Sequence, residues 1–411
     1  MIDLLEISIQ FDASLVETVD ERYAFVGVDF KEMNIPLGAK SIHFRDDDTI
    51  GTCGLYHPYE SLPTSFTGIA MKVNFDGHFF PHITIKGSPA KILQGHNVFG
   101  SDDLYLCITE MLFWVQDAYP DLYGMLSIQT AEIRKMDVTY MSRVGSPKLV
   151  RSAIDYMSRI SNGQTKPTKS KKYETTMYWG GATSRLIRQK CYAKFDEYLA
   201  QLEKFKKLSE KGDSHALVIV NVMSDERLID IARTSLRWEC TFMKRWLERN
   251  DIPVNAWELI KYQNANPDFL QRIWSKGFEK IFDAMKGLDM TIVNDDKVLA
   301  RLKAEFGKPL ASGRTSYRKA INLFGFYTQL KSMGYQEIKN QELYSLSQFN
   351  RLVGELRSAG FSLSFLQNLH VSDPNTKTVP FVNLINIDFS QQTPDWYVEP
   401  LSTPQKLRLV A

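Results

Sequence analysis

The sequence has few of the residues that staple small folds or build metal cages. Its 411 residues include only 4 cysteines, and Cys53, Cys107, Cys191 and Cys240 show none of the short paired spacings of a zinc site. Each sits among apolar neighbours, which predicts reduced, buried thiols and a cytoplasmic setting. No apolar run reaches the roughly 18 residues of a membrane span. The opening MIDLLEISIQFD lacks the basic and apolar regions of a secretory signal. A strong net charge is also missing: 50 Lys+Arg against 48 Asp+Glu leave +2. Affinity for nucleic acid must then come from local patches rather than a global field. Internal repeats and low-complexity segments are absent. With 44% hydrophobic and 24% charged residues, the chain has an ordinary globular composition and the length for two or three domains.

Strong alternation of apolar and polar residues over the first 87 positions predicts strands at 4–10, 24–29, 39–44 and 49–56. Two more, at 67–75 and 78–86, flank an Asp76-Gly77 hairpin turn. Ser88-Pro89 opens a short helix stopped at Gly95, and Ser101 with Asp102 and Asp103 starts a core helix through residue 117. Further strands are predicted at 131–142, 187–194, 216–223, 234–244 and 381–388. Helices are predicted at 146–160, 195–211 and 225–233, and across most of 252–360, with an extended tail from Gln391. Lys286-Gly287 marks a joint, giving domains 1–287 and 288–411. This predicts an α+β fold: a central, mainly antiparallel sheet with flanking helices, followed by a mostly helical C-terminal domain.

Three strands pair an apolar face with a polar face carrying a reactive group. In the strand at 187–194, Tyr192 and Lys194 point the same way as Arg188 and Lys190, with Glu197 just beyond. Asp137 and Glu239 occupy equivalent faces of two other strands, the latter beside Arg237. Placed on one sheet surface, the two carboxylates can hold a hard divalent ion such as Mg²⁺ or Mn²⁺. A neighbouring ammonium favours an attacking phenolate, and Lys194 can stabilise charge on phosphoryl oxygens. The bland alternative is that each is a solvated residue on an open sheet face. His96 reads either as a metal ligand or as a turn residue, and Arg237 either as a phosphate contact or as a partner for Glu239. His78 and His82, four residues apart, lack the His-hydrophobic-His spacing of a metal pair. The connection SNGQTKPTKSKK, with Lys166, Lys169, Lys171 and Lys172, reads as a solvated loop or as a phosphate-contacting arm, to which Arg188 and Lys190 would add.

Across its whole length the chain resembles the gene-two replication initiators of filamentous bacteriophages. The resemblance is carried by MIDLL, HPYESLPTSFTGIAMK, SPAKILQGHNVFG, SNGQTKPTKS, Tyr192-x-Lys194, Arg237-Trp238-Glu239, FGFYTQL and INIDFSQQTPDWYVEP. It implies a rolling-circle nicking and joining enzyme dependent on Mg²⁺, with Tyr192 as nucleophile and Asp137 and Glu239 at acidic metal positions. Its partners would be the double-stranded viral origin, the single plus strand, host helicase and DNA polymerase, and other copies of itself at the origin, all in the bacterial cytoplasm. It also implies a shorter product begun at Met290. A non-catalytic origin-binding regulator remains the alternative.

Overall fold

The computed structural model describes residues 1–19, 23–28, 30, 40–44, 50–55, 59–157, 168–169, 175–181, 183–285, 295–310, 313–341, 343–369, 385 and 387–410. Its centre is a nine-stranded sheet. In chain order the strands are β1 (Ile2–Gln10), β2 (Glu60–Leu62), β3 (Ile69–Asn74), β4 (His82–Gly87), β5 (Glu132–Arg143), β6 (Thr168–Lys169), β7 (Thr176–Trp179), β8 (Ile187–Ala193) and β9 (Ser235–Met243). They lie in the spatial order β6-β7-β8-β9-β5-β1-β4-β3-β2, and every neighbouring pair is antiparallel. The α+β class read from the alternation is the class observed.

Side-chain alternation sorts the two faces of the sheet. One carries Leu5, Ile7, Met136, Val138, Trp238, Cys240 and Phe242, all fully buried. They share a core with helices α1 (Pro89–Gln94) and α2 (Leu104–Ala118) and with the later helix Phe269–Met285. Trp179 stacks on Trp238 at 6.2 Å and 9°, and the Trp274 indole N–H donates to the Trp238 carbonyl at 3.2 Å. Helix and sheet approach so closely that a Cβ on Gly277 would lie 2.6 Å from Cys240 Sγ, so that position requires glycine. Each large side chain buried there contributes about 1.5–3 kcal/mol.

After β8 come α3 (Lys194–Ser209), α4 (Ser214–Met223) and α5 (Glu226–Arg233). They form a second core with Val98, Phe99 and Met141. The segment at 216–223, expected as a strand, is this α4. Asp213 caps it by accepting from the Ala216 N–H at 3.0 Å. Only one side of its β-branched run is buried: Ala216, Ile219 and Met223 are inside, Leu217 and Val218 outside. That is a helical period, which a short VIVNV run conceals. The expected Asp76-Gly77 turn is instead a two-residue strand paired with Tyr23–Val26, while Asn74 and His82 pair across the hairpin that encloses it.

Residues 295–369 contribute a separate helical core around Leu323, Phe326, Tyr327, Phe349 and Leu356. Lys286, Gly287 and Met290 lie outside the described residues, as does most of the strand expected at 381–388. Of the latter, Ile385, Ile387 and Asp388 are in turn or irregular structure. The tail from Gln391 ends in a helix, Thr403–Val410, and returns to the sheet. Thr403 bonds to Glu110 of α2 through its N–H at 2.7 Å and its hydroxyl at 2.6 Å. Ile385, Ile387 and Phe389 pack with the first core although they follow the helical core of residues 295–369. No helix among the described residues is long and apolar enough to cross a membrane.

Candidate active site

The polar face of β8, β9 and β5 lines a cleft of about 290 Å³, walled by Asp3, Ser88, Lys91, Asn97, Asp137, Thr175, Thr176, Tyr178, Lys190, Tyr192, Asp196, Glu197 and Glu239, among others. Register explains why these residues meet. Lys190 lies opposite Glu239 and Tyr192 opposite Arg237. On the other side of β9, Glu239 lies opposite Thr139, and Asp137 opposite Thr241. Tyr192 and the two carboxylates therefore occupy three adjacent strands. The β8–β7 register adds Thr176 and Tyr178 opposite Tyr192 and Lys190. Tyr178 is exposed on the same face, at the cleft wall.

Lys190 Nζ lies 2.6 Å from Glu239 Oε1 and 5.3 Å from the centre of the Tyr192 ring. Burial would lower the Lys190 pKa, but the Glu239 carboxylate outweighs it and holds the ammonium charged. Burial raises Glu239 to about 8; Lys190 opposes the shift, while Asp137 and Asp3 add to it. Glu239 Oε2 and Asp137 Oδ1 are buried with no hydrogen-bond partner among the described residues. Two such oxygens on neighbouring carboxylates are the donor set for a hard cation, with waters and phosphate oxygens completing its shell. Among the described residues no three His, Cys, Asp or Glu side chains form a ready-made metal group, so the fit rests on this pair. Burial pushes the Tyr192 phenol well above its ordinary pKa, and the Arg237 charge opposes that shift.

Behind the cleft runs a continuous charged network. Arg237 Nη2 lies 3.1 Å from Asp3 Oδ2, and Asn97 Nδ2 donates to Asp3 Oδ1 at 2.9 Å. Lys194 Nζ donates to Asn97 Oδ1 at 2.8 Å and to Glu197. Arg237 also donates to the Asn97 carbonyl. At the wall, Lys91 lies 3.8 Å from Glu197. Burial alone would raise the Asp3 pKa, but Arg237, Lys194 and Lys91 outweigh it and hold the carboxyl well below the usual range. Burial lowers Lys194 to about 8 against the pull of Glu197.

Several expected roles change with this geometry. β8 ends at Ala193, so Lys194 opens α3 rather than sharing a strand face with Tyr192. Its ammonium is fully buried against Asn97 and Glu197, behind the wall, and Lys190 and Lys91 are the cations facing the cleft. Arg237, read as a DNA contact, is also fully buried, and its salt bridge is with Asp3 of β1 rather than Glu239. His96 does not line the cleft that Asp137 and Glu239 share. Its ring packs on Phe99 at 4.9 Å, its Nδ1 accepts from the Val98 N–H at 3.3 Å, and burial lowers its pKa to about 3. It is a loop-closing residue. Arg188 lies on the polar face, with Nη2 donating to the Ser184 carbonyl at 3.4 Å. Lys166, Lys171 and Lys172 lie outside the described residues, and Lys169 is on the edge strand β6 with its side chain undescribed.

Strand alternation gives no hint that Asp3, Lys91 and Asn97 belong to the site. Asp3 sits at the register shift between Ile2 and Leu4, which re-aims its side chain. Lys91 and Asn97 fall within SPAKILQGHNVFG, where the glycine-ended helix and tight loop were the available signal.

Comparison with known proteins identifies the family. The family model for the N-terminal part of the replication-associated gene-two protein matches residues 1–264, and that for its C-terminal part matches residues 310–403. The replication-associated gene-two protein of Salmonella phage IKe is 35% identical over 428 residues, covering 100% of this chain and 99% of that one. Its namesake from Enterobacteria phage M13 is 35% identical over 415 residues, covering 98% and 99%. No solved structure matches. With both family segments present in order and full-length relatives at this identity, the chain belongs to the replication-associated gene-two protein family of filamentous phages.

Proposed function

We propose that this chain nicks and rejoins DNA, cutting the viral plus strand at the origin of the double-stranded replicative form through a 5′-phosphotyrosyl intermediate on Tyr192. The observation that carries the reading is the convergence, on three adjacent strands, of Tyr192 with two carboxylates whose buried oxygens lack partners among the described residues. The phenolic oxygen attacks the scissile phosphorus, and the bond to the 3′ oxygen breaks. The phenol gives up a proton and the departing 3′ oxygen takes one up. The products are a 3′ hydroxyl, which primes rolling-circle synthesis by host polymerase after host helicase opens the duplex, and a tyrosine phosphodiester. Attack by a 3′ hydroxyl on that diester reverses the chemistry and circularises the displaced strand without a nucleotide cofactor.

Asp137 and Glu239 would hold Mg²⁺ or Mn²⁺, which when bound would polarise the phosphate and offset the charge developing on it. Lys190 fixes Glu239 and presents its ammonium beside the Tyr192 ring. Lys91 is placed to meet a phosphate oxygen, and Tyr178 offers a ring on which an unpaired base can stack. Arg237 stays behind the phenol as a fixed positive charge favouring the phenolate. Lys166, Lys169, Lys171 and Lys172 would grip backbone phosphates.

Supercoiled origin DNA with Mg²⁺ is expected to yield open circles carrying covalently attached protein, both lost in Tyr192→Phe. Tight binding with no adduct from the unmutated chain would instead establish the origin-binding regulator. Cutting that survives Tyr192→Phe but fails in Asp137→Ala would indicate a hydrolytic nuclease.

A further inference from the structure

The loop His96–Gly100 joins the cleft to the C-terminal tail. On one side Asn97 ties Asp3, Lys194 and Arg237 together. On the other side Phe99 receives two tail rings edge-on, Trp396 at 5.4 Å and Tyr397 at 5.3 Å. The loop is short and its ends are restrained. Gly95 adopts φ +80 to end α1, and a Cβ on Gly100 would lie 2.7 Å from that of Ala90. Gln94 Nε2 donates to the Phe99 carbonyl at 2.6 Å. Phe99 and Asn97 lie two residues apart within this restrained segment.

The tail is anchored at three further points. Gln392 accepts from the Met141 N–H at 2.7 Å and donates to the Met141 carbonyl at 3.0 Å, pairing with the backbone of β5. The Arg227 guanidinium of α5 lies 4.4 Å over the Trp396 ring. Beyond the aromatic pair, Thr403 bonds to Glu110. Trp396 itself remains 39% exposed, so it adds less to core stability than its size suggests, while still closing one side of the active-site loop.

We infer that residues 392–397 form a positioning strap for the tyrosine site: by holding Phe99, Trp396 and Tyr397 fix Asn97, and through it the Asp3–Arg237 pair behind Tyr192. Rings at the far end of the chain thereby set the geometry of a nucleophile near its middle, through a loop restrained at Gly95, Phe99 and Gly100. The inference rests on Tyr192 chemistry, and its experiment is chosen to separate the two. Adduct formation is measured under saturating DNA for the full chain, for Trp396→Ala/Tyr397→Ala, for Tyr397→Phe, for Thr403→Ala and for Phe99→Leu, alongside KM and melting temperature. In the double variant kcat is expected to fall about tenfold or more with KM changed by no more than about twofold, and Phe99→Leu reads the same packing from the loop side should the double variant not fold. Tyr397→Phe keeps the ring and is expected to keep kcat. Thr403→Ala, which loosens the tail beyond the strap, lowers melting temperature and leaves kcat unchanged. An unchanged kcat in both ring-removal variants, or an equal fall in Thr403→Ala, overturns the strap. If the strap fails in this way while Tyr192→Phe still forms no adduct, the tyrosine reading stands, whereas an adduct in Tyr192→Phe removes that reading instead.

Discussion

Around the nine-stranded sheet, Asp3, Glu110, Asp137, Lys194, Arg237 and Glu239 are all buried, whereas the helical core of residues 295–369 buries only Gln367 among its described polar side chains. Charge in that second region stays on the outside, as in Lys331–Asp295 at 2.8 Å with both partners about half exposed. Taking an ion out of water costs several kcal/mol even after relaxation, so a fold seeking stability alone does what the helical region does. The sheet region carries that burden, most of it in and behind one cleft, with Glu110 apart on α2 where it meets Thr403. The contrast marks the cleft: buried charge accumulates around Tyr192 and is absent from the described helical core, where packing suffices.

Arg237→Met tests the contrast at its largest. Removing one partner of the buried Arg237–Asp3 pair leaves a carboxylate without its main counter-charge, and a loss of about 3–5 kcal/mol of stability is expected in urea unfolding. Asp137→Asn should act in the opposite sense on folding. It removes one of two adjacent buried carboxylates, so stability is expected to rise by about 1 kcal/mol while nicking falls about 10²–10³-fold.

The pH dependence follows from Glu239. Its folded pKa, about 8, lies above the ordinary carboxylate value of 4.5. The folded chain therefore binds more protons than the unfolded chain between those values, and without a divalent ion this group's contribution to stability falls as pH rises through that window. Because metal and proton compete for the same carboxylate, the Mg²⁺ concentration giving half-maximal nicking is expected to increase as pH is lowered below about 8. A requirement independent of pH would separate Glu239 from the cation. Neutralising Lys166, Lys169, Lys171 and Lys172 together is expected to weaken DNA binding and flatten its salt dependence by up to about 0.9 for each phosphate left without its lysine. The smallest effect belongs to the helical region, where Lys331→Met is expected to change stability by less than about 1 kcal/mol.

Much of the sheet was readable because alternation is a strong signal when one face is a full core. Leu236, Trp238, Cys240 and Phe242 on one side oblige Arg237, Glu239 and Thr241 to the other, and the same logic put Asp137 and Tyr192 on the matching face. It failed where an interaction depends on residues far apart in the chain. Nothing near Arg237 shows that Asp3 comes to meet it, so burial of that cation was invisible. The strand-to-helix change at Ala193 was also hidden, because an alternating pattern continues through Lys194. In α4 the β-branched run reads as a strand, whereas the Asp213 cap and burial on one side alone settle the segment as helix.

The most direct measurement is to trap the covalent complex on origin DNA with Mg²⁺, digest it with nuclease and protease, and identify by mass spectrometry the residue bearing the nucleotide. The account predicts a single modified peptide with the 5′ phosphate on Tyr192. A nucleotide on any other side chain, or efficient nicking with no modified residue, would contradict it.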